Sequence, residues 1–247
     1  MRRPLVIANW KMYTSFSDAV ILSTAIRDGV ENISGLEIIL CPPAVWLTEI
    51  AHIIHKNINH LSLGAQNIHY MSEGEFTGEI SAPMIRDIAK YVIVGHSERR
   101  KNFDEDLPII SRKVAAAIDA SLSPIICVGE KKQSQGSASE VVKELKEEIS
   151  DVKKEDYKNL IIAYEPVWAI GSEEPATPEY AARIITALRE VVHFETPILY
   201  GGSIDAANVY KFVSRPEIDG VLVGRSGLKA KEFIKICRIV AEYKKIV

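Results

Sequence analysis

The chain reads as an α/β protein with a closed (β/α)8 barrel, eight parallel strands ringed by helices. Three observations carry that expectation. Eight short apolar runs recur along the 247 residues. Amphipathic stretches with helical spacing separate them, and each run with its following stretch takes roughly 30 residues, the length of one βα unit. An open doubly wound sheet is the competing arrangement, but the Gly-x-Gly-x-x-Gly turn expected after its first strand is missing. No stretch reads as an interdomain linker, so residues 1–247 are expected to form one domain.

The apolar runs are Leu5–Ala8, Leu36–Leu40, Leu61–Ala65, Tyr91–Val94, Pro124–Val128, Leu160–Ala163, Pro197–Tyr200 and Gly220–Val223. Each is nearly continuous in apolarity, the pattern of a parallel strand buried on both faces. Among the helical stretches, Lys131–Asn159 is charged and flecked with Ser and Gly, yet Val141, Val142, Leu145 and Ile149 form a stripe. It reads as a solvated helix with its loops. Thr177-Pro178-Glu179 opens the next helix with an N-cap residue, a proline at the first helical position and an acid in the first turn. Ala181, Ile184, Ile185, Leu188, Val191 and Val192 continue it on one face. Phe233, Ile236, Cys237 and Val240 mark the last helix, with Lys244 and Lys245 at its cation-favouring end.

Composition narrows the function classes. With 30 Lys+Arg against 33 Asp+Glu the formal charge is −3, which argues against a nucleic-acid partner held by a basic surface. No apolar run approaches the roughly 18 residues needed to cross a bilayer, so no membrane partner is expected. Met1-Arg2-Arg3-Pro4 and the brief apolar stretch after it are too short for a signal peptide. Cys41, Cys127 and Cys237 are odd in number and widely spaced, which suits a reducing compartment; the expectation is a cytoplasmic protein. His52-x-x-His55, with His60 nearby, lacks a third ligand of matching spacing, and no metal site is expected.

Barrel chemistry sits at the C-terminal strand ends, and the polar residues gather there. The first strand runs into Asn9-Trp10-Lys11, the third into Gln66-Asn67 and the fourth into Gly95-His96-Ser97-Glu98. The fifth leads to Gly129-Glu130, the sixth to Glu165-Pro166, the seventh to Gly201-Gly202-Ser203 and the eighth to Gly224-Arg225. Closure would gather an acid, an imidazole, an amine, an amide and several glycine N–H groups in one mouth. Glycines after the seventh and eighth strands suit a phosphate. The residues thus point to proton transfer on a small phosphorylated molecule.

Asn9-Trp10-Lys11-Met12, Gly64-Ala65-Gln66-Asn67, Phe76-Thr77-Gly78-Glu79-Ile80-Ser81 and Gly95-His96-Ser97-Glu98-Arg99-Arg100 also form a set with three later motifs. These are Cys127-Val128-Gly129-Glu130, Ala163-Tyr164-Glu165-Pro166-Val167-Trp168-Ala169-Ile170-Gly171 and Tyr200-Gly201-Gly202-Ser203. In this order they resemble the triosephosphate isomerase family over essentially the whole chain. The resemblance implies a TIM barrel that interconverts dihydroxyacetone phosphate and D-glyceraldehyde 3-phosphate through an enediol(ate), in glycolysis and gluconeogenesis. It implies no metal or organic cofactor, and a homodimer.

By the same resemblance Glu165 is the general base, its pKa brought toward the working pH by partial desolvation. His96, at a helix N-terminus that disfavours imidazolium, donates to the substrate oxygens as a neutral ring. Lys11 offsets the negative charge and Asn9 donates to the oxyanion. Ser97 and Glu98 support the site, with helix capping and a structural ion pair as the plainer roles. Gly171, Ser203 and Gly224 grip phosphate through backbone amides. Arg225 stands where the family has a second glycine; it either faces solvent or adds charge near the phosphate. Pro166 to Ala176 is the lid, with Pro166-Val167-Trp168 as one hinge and Ala169, Ile170 and Gly171 following. Its far half, Ser172-Glu173-Glu174-Pro175, departs from the family pattern. Thr77 reaches the partner subunit's site. A Schiff-base aldolase would need a lysine at a strand end, and Lys11 is the only one so placed. A non-catalytic phosphate binder is the other alternative.

Overall fold

In the computed structural model, residues 2–54, 58–169 and 175–244 are described. The strands are β1 (Leu5–Asn9), β2 (Glu37–Cys41), β3 (Leu61–Ala65), β4 (Tyr91–Val94), β5 (Ser123–Val128), β6 (Ile161–Tyr164), β7 (Ile198–Tyr200) and β8 (Gly220–Val223). They pair in parallel in chain order, and β8 returns to β1 with Leu5 opposite Gly220, which closes the barrel. Each strand lies within a residue of the run expected for it. The helices are α1 (Phe16–Val30), α2 (Leu47–Ile54), α3 (Ala82–Ile85), α4 (Ser97–Asn102), α5 (Leu107–Asp119), α6 (Ser137–Glu148), α7 (Pro178–Arg189), α8 (Val209–Val213) and α9 (Ala230–Lys244).

Local chemistry explains the helix starts. Ser15 and Asp18 form a reciprocal capping box at α1, and the Thr177 hydroxyl accepts from the Tyr180 N–H at α7. Helix α6 buries Val141, Leu145 and, just past its end, Ile149, as its stripe requires; Val142 is only half-buried. One expectation fails: α7 stops at Arg189, so Val191 and Val192 lie in the following turn. The Glu190 and Val191 N–H groups close that turn onto Ala187 and Leu188, tightening the last turn while the two valines stay half-buried against the core.

The continuous apolarity of the strands resolves into two faces. Leu5, Ile7, Ile39, Cys41, Ile93, Ile125, Cys127, Ile161, Ala163, Leu199 and Leu222 form a cluster to which no helix contributes; this is the barrel lumen. The alternate residues, among them Val6, Ala8, Ile38, Leu40, Val92 and Val94, join the larger cluster beneath the helices. Both rows are buried, and that is why the strands do not alternate in polarity.

Closure is tight at one point. A Cβ on Gly220 would lie 1.9 Å from the Leu5 carbonyl oxygen. Gly220→Ala must push β8 off β1, at a cost of about 3 kcal/mol. The expected outcome is a lowered denaturation midpoint with little change in m-value; an unchanged midpoint would contradict this closure.

Candidate active site

The same alternation builds the mouth. Asn9 continues the inward row of Leu5 and Ile7, and Glu165 that of Ile161 and Ala163. Gly201 follows Leu199 and Gly224 follows Leu222 in the same way. These positions open into a cavity of about 790 Å³, lined also by Lys11, His96, Glu98, Ser203 and Arg225. So Asn9, Lys11, His96, Glu98, Glu165, Ser203, Gly224 and Arg225 are brought together. Ile170 and Gly171 lie outside the described residues, as do Ser172, Glu173 and Glu174 and, elsewhere, His55. Thr77 sits in a wholly exposed loop and does not line the cavity. His60, close to the His52-x-x-His55 pair in sequence, faces the Val30 carbonyl through Nε2 at 2.9 Å.

His96 and Glu165 form the centre. His96 is the N-cap of α4, and its Nδ1 accepts from the Glu98 N–H at 3.2 Å. A ring nitrogen that accepts carries no proton, so Nε2 is the donor, and it faces Glu165 Oε1 at 3.1 Å. Glu165 Oε2 accepts from the Ser97 N–H at 3.1 Å. Ser97 is thus the first residue of α4 and not its cap; the cap is His96. Both side chains of the pair are buried.

Burial works against the charged form of each, but the partner outweighs it. For Glu165, burial raises the pKa while His96 and the Ser97 N–H lower it further, and the net direction is down. For His96, burial lowers the pKa, while the Glu165 charge and hydrogen bond, and then Glu98, carry it above its ordinary value. Both directions are opposite to the expectations of a Glu165 raised by desolvation and a His96 held down by the helix terminus. The reason is tertiary: α4 presents His96 and the Ser97 amide to the same carboxylate.

Lys11 is held in a left-handed backbone conformation, φ +55°. Its N–H donates to Asn9 Oδ1 at 2.9 Å, and its carbonyl accepts from Gln66 Nε2 at 2.8 Å. Its ammonium bonds Glu98 Oε1 at 2.5 Å. Asn9 and Gln66 therefore hold a backbone conformation that a lysine would otherwise avoid, while Glu98 fixes the ammonium. A Cβ at position 224 would come within 3.2 Å of Lys11 Cε, so glycine there leaves room for the lysine beside the β8 loop. The β7 and β8 loops are stapled by Ser226, whose hydroxyl donates to the Ile204 carbonyl at 2.6 Å. Arg225 is exposed and opens a 3-10 turn, Arg225–Leu228.

Beyond Glu165, Pro166 is buried and Val167–Ala169 form a 3-10 turn. Trp168 Nε1 donates to Glu130 Oε1 at 2.7 Å; the same oxygen accepts from Tyr180 at 2.8 Å and from Tyr164 at 3.0 Å. Glu130 thus anchors the hinge, and sequence reasoning noted it only as a polar strand end. The available signal was an acid at the end of β5 beside two donors, Tyr164 and Trp168, on the next strand and its turn. Gln66, which holds the Lys11 backbone, was missed as a site residue in the same way.

The model of one family, described as triosephosphate isomerase, matches residues 4–240. A triosephosphate isomerase of Dehalococcoides mccartyi is 40% identical over 256 residues, covering 99% of this chain and 100% of that protein. One from Herpetosiphon aurantiacus is 40% identical over 250 residues, covering 96% and 99%. The crystal structure of triosephosphate isomerase from Bartonella henselae superposes with a TM-score of 0.85 at 32% identity, covering 96% and 98% of the two chains.

The His96–Glu165 coupling makes a prediction. Glu165→Gln removes the largest upward influence on His96 and leaves burial, the largest influence of all, and Lys11 pulling down against Glu98. An NMR titration of the imidazole is expected to give a lower pKa in the variant than in the parent; a value unchanged or higher would contradict the pairing.

Proposed function

The chain belongs to the triosephosphate isomerase family and interconverts dihydroxyacetone phosphate and D-glyceraldehyde 3-phosphate in glycolysis; on that premise, we propose the following roles for its residues. Glu165 takes a proton from the carbon beside the substrate carbonyl, and the C–H electrons pass to the carbonyl oxygen. His96 donates from Nε2 to that oxygen and recovers a proton from the hydroxyl on the adjacent carbon as the new carbonyl forms, while the proton on Glu165 returns to the former carbonyl carbon. The observation that carries this reading is the buried Glu165 carboxylate 3.1 Å from His96 Nε2, in a cavity that Lys11 also lines. Substrate exchanges for the bonds that Glu165 makes to His96 and Ser97, which frees the base and the donor in one event.

Asn9 keeps its carbonyl on the Lys11 N–H and offers its NH2 to the enediolate oxygen. The Ser203 and Gly224 amides receive the phosphate, with the Gly171 amide from the lid and the charge of Lys11. Arg225, exposed at the cavity rim, adds a cation at this end. Glu98 shares the Lys11 ammonium and caps nothing; Ser97 holds the base through its N–H. Lid closure from the Pro166-Val167-Trp168 hinge, carrying Ala169, Ile170 and Gly171, shields the enediolate from water. Glu98 Oε1 holds the Lys11 ammonium, so the nitrogen is not presented as a free nucleophile, which disfavours a Schiff-base aldolase.

The partner proposed is a second copy of this chain. Met12, Tyr13, Val45 and Phe76 are large, apolar and exposed, and they follow the adjacent strands β1, β2 and β3 at the mouth end. Thr77 lies in the last of these loops, where it would meet the partner's site. Among the described residues no helix is long and apolar enough to cross a membrane. The cytoplasm is the proposed location, and residues 1–247 are proposed to form one barrel domain.

Glu165→Asp withdraws the base by about one methylene, and kcat for triose phosphate interconversion is expected to fall about 100-fold with little change in KM. Full turnover in the variant would overturn the assignment of the base. Sedimentation equilibrium is expected to give twice the 27.5 kDa chain mass; a monomer would overturn the interface.

A further inference from the structure

We propose that Glu148, on α6 and outside the active-site cavity, is a positioning residue for His96, acting through the guanidinium of Arg100. Glu148 is fully buried, and its Oε1 accepts from Arg100 Nη2 at 2.5 Å. Arg100 belongs to α4, the helix that His96 caps. Its Nε donates to the Gly95 carbonyl at 2.6 Å, and that carbonyl belongs to the peptide leading directly into His96. Its Nη2 also donates to the Cys127 carbonyl at 2.5 Å, at the end of β5. One guanidinium therefore ties together the ends of β4 and β5, and a carboxylate from a third element holds it there.

The fit around the clamp is close. Gly95 has φ +69°, and a Cβ there would lie 2.8 Å from Arg100 Nη2. The backbone before His96 thus takes a left-handed turn in contact with the guanidinium, and a glycine is needed for both reasons. Glu144 adds a second, longer contact to Arg100 Nη1 at 3.3 Å. The β5 end is linked to the base as well, because the Val128 carbonyl accepts from the Glu165 N–H at 2.8 Å.

The energetics favour a positioning role over a stabilising one. Burial pushes the Glu148 carboxyl up to about 8 against the pull of Arg100, with Glu144 adding repulsion. Its second oxygen is buried and finds no hydrogen-bond partner among the described residues. A buried ion pair with an unsatisfied oxygen contributes little to stability, since desolvation cancels much of the attraction. What the pair does supply is geometry. The planar fork of Arg100 meets the Gly95 and Cys127 carbonyls with Nε and Nη2, and Glu148 fixes that edge by taking the second N–H of the same Nη2.

The inference rests on the role given to His96, and the experiment keeps the two separable. Steady-state kinetics, thermal unfolding and imidazole NMR of His96 would be measured for Glu148→Ala, Glu148→Gln and His96→Asn. In Glu148→Ala, kcat is expected to fall about tenfold while KM stays within about twofold, with the His96 ring resonances shifted and broadened. Glu148→Gln keeps an acceptor for Arg100 and is expected to recover kcat to within about threefold of the parent. A Glu148→Ala protein that melts earlier yet keeps parental kcat and His96 resonances would reduce Glu148 to a helix anchor and overturn the proposal. A Gln variant no better than Ala would overturn the hydrogen-bonded route through Arg100. If Glu148→Ala does not fold, Glu148→Asp decides: a lowered kcat at unchanged KM with shifted resonances supports the proposal, and unchanged kcat overturns it. Retained activity in His96→Asn would instead sink the role of His96 itself.

Discussion

Every functional feature of this chain depends on the two-residue alternation of side chains along eight parallel strands closed by the contact between Gly220 and Leu5. One row of each strand fills the lumen with aliphatic side chains. The next inward position on several strands is no longer inside but in the mouth. Asn9 and Glu165 lie on opposite parts of the sequence and meet only because β1 and β6 obey the same parity around one axis. The packed lumen beneath them is a rigid floor, so the polar groups above need only short loops to be held in place.

On that floor the charges are arranged in pairs. Glu165 with His96, Lys11 with Glu98, and Arg100 with Glu148 each join two different elements. The chain carries a net charge of only −3, so its overall charge does not attract an anion. Under the proposed roles, attraction comes from Lys11 and from backbone amides at the β7 and β8 loops. Lys11 is placed there by a left-handed backbone that Asn9 and Gln66 hold and by the Glu98 carboxylate on its ammonium. The strain is local, and hydrogen bonds from neighbouring strand ends support it.

Much of the barrel was legible in residue order alone, because a strand buried on both faces must be apolar throughout and because eight such runs leave few alternatives. The site residues were legible for a related reason: a polar residue just past an apolar run has little other place to go than the mouth. Val191 and Val192 mark the limit. Their spacing continues the stripe of α7, but a helix end is set by backbone hydrogen bonding, which the stripe does not encode. Glu130, Gln66 and Glu148 mark another. Each acts on a partner distant in sequence, and nothing in its own neighbourhood names that partner.

The sequence by itself determined which residues could do chemistry: an acid, an imidazole, an amine and an amide at strand ends, with glycines where an anion would sit. Side-chain type and strand parity are local properties, and both can be read in order along the chain. Only the tertiary structure decided their electrostatic state. Glu165 alone in an apolar pocket would have a raised pKa, and His96 alone at a helix terminus a lowered one. Packed against each other, and with Ser97 on the same carboxylate, both move the other way. The sign of a buried group's shift depends on what charge lies within a few ångströms of it, and that distance exists only after the chain has folded.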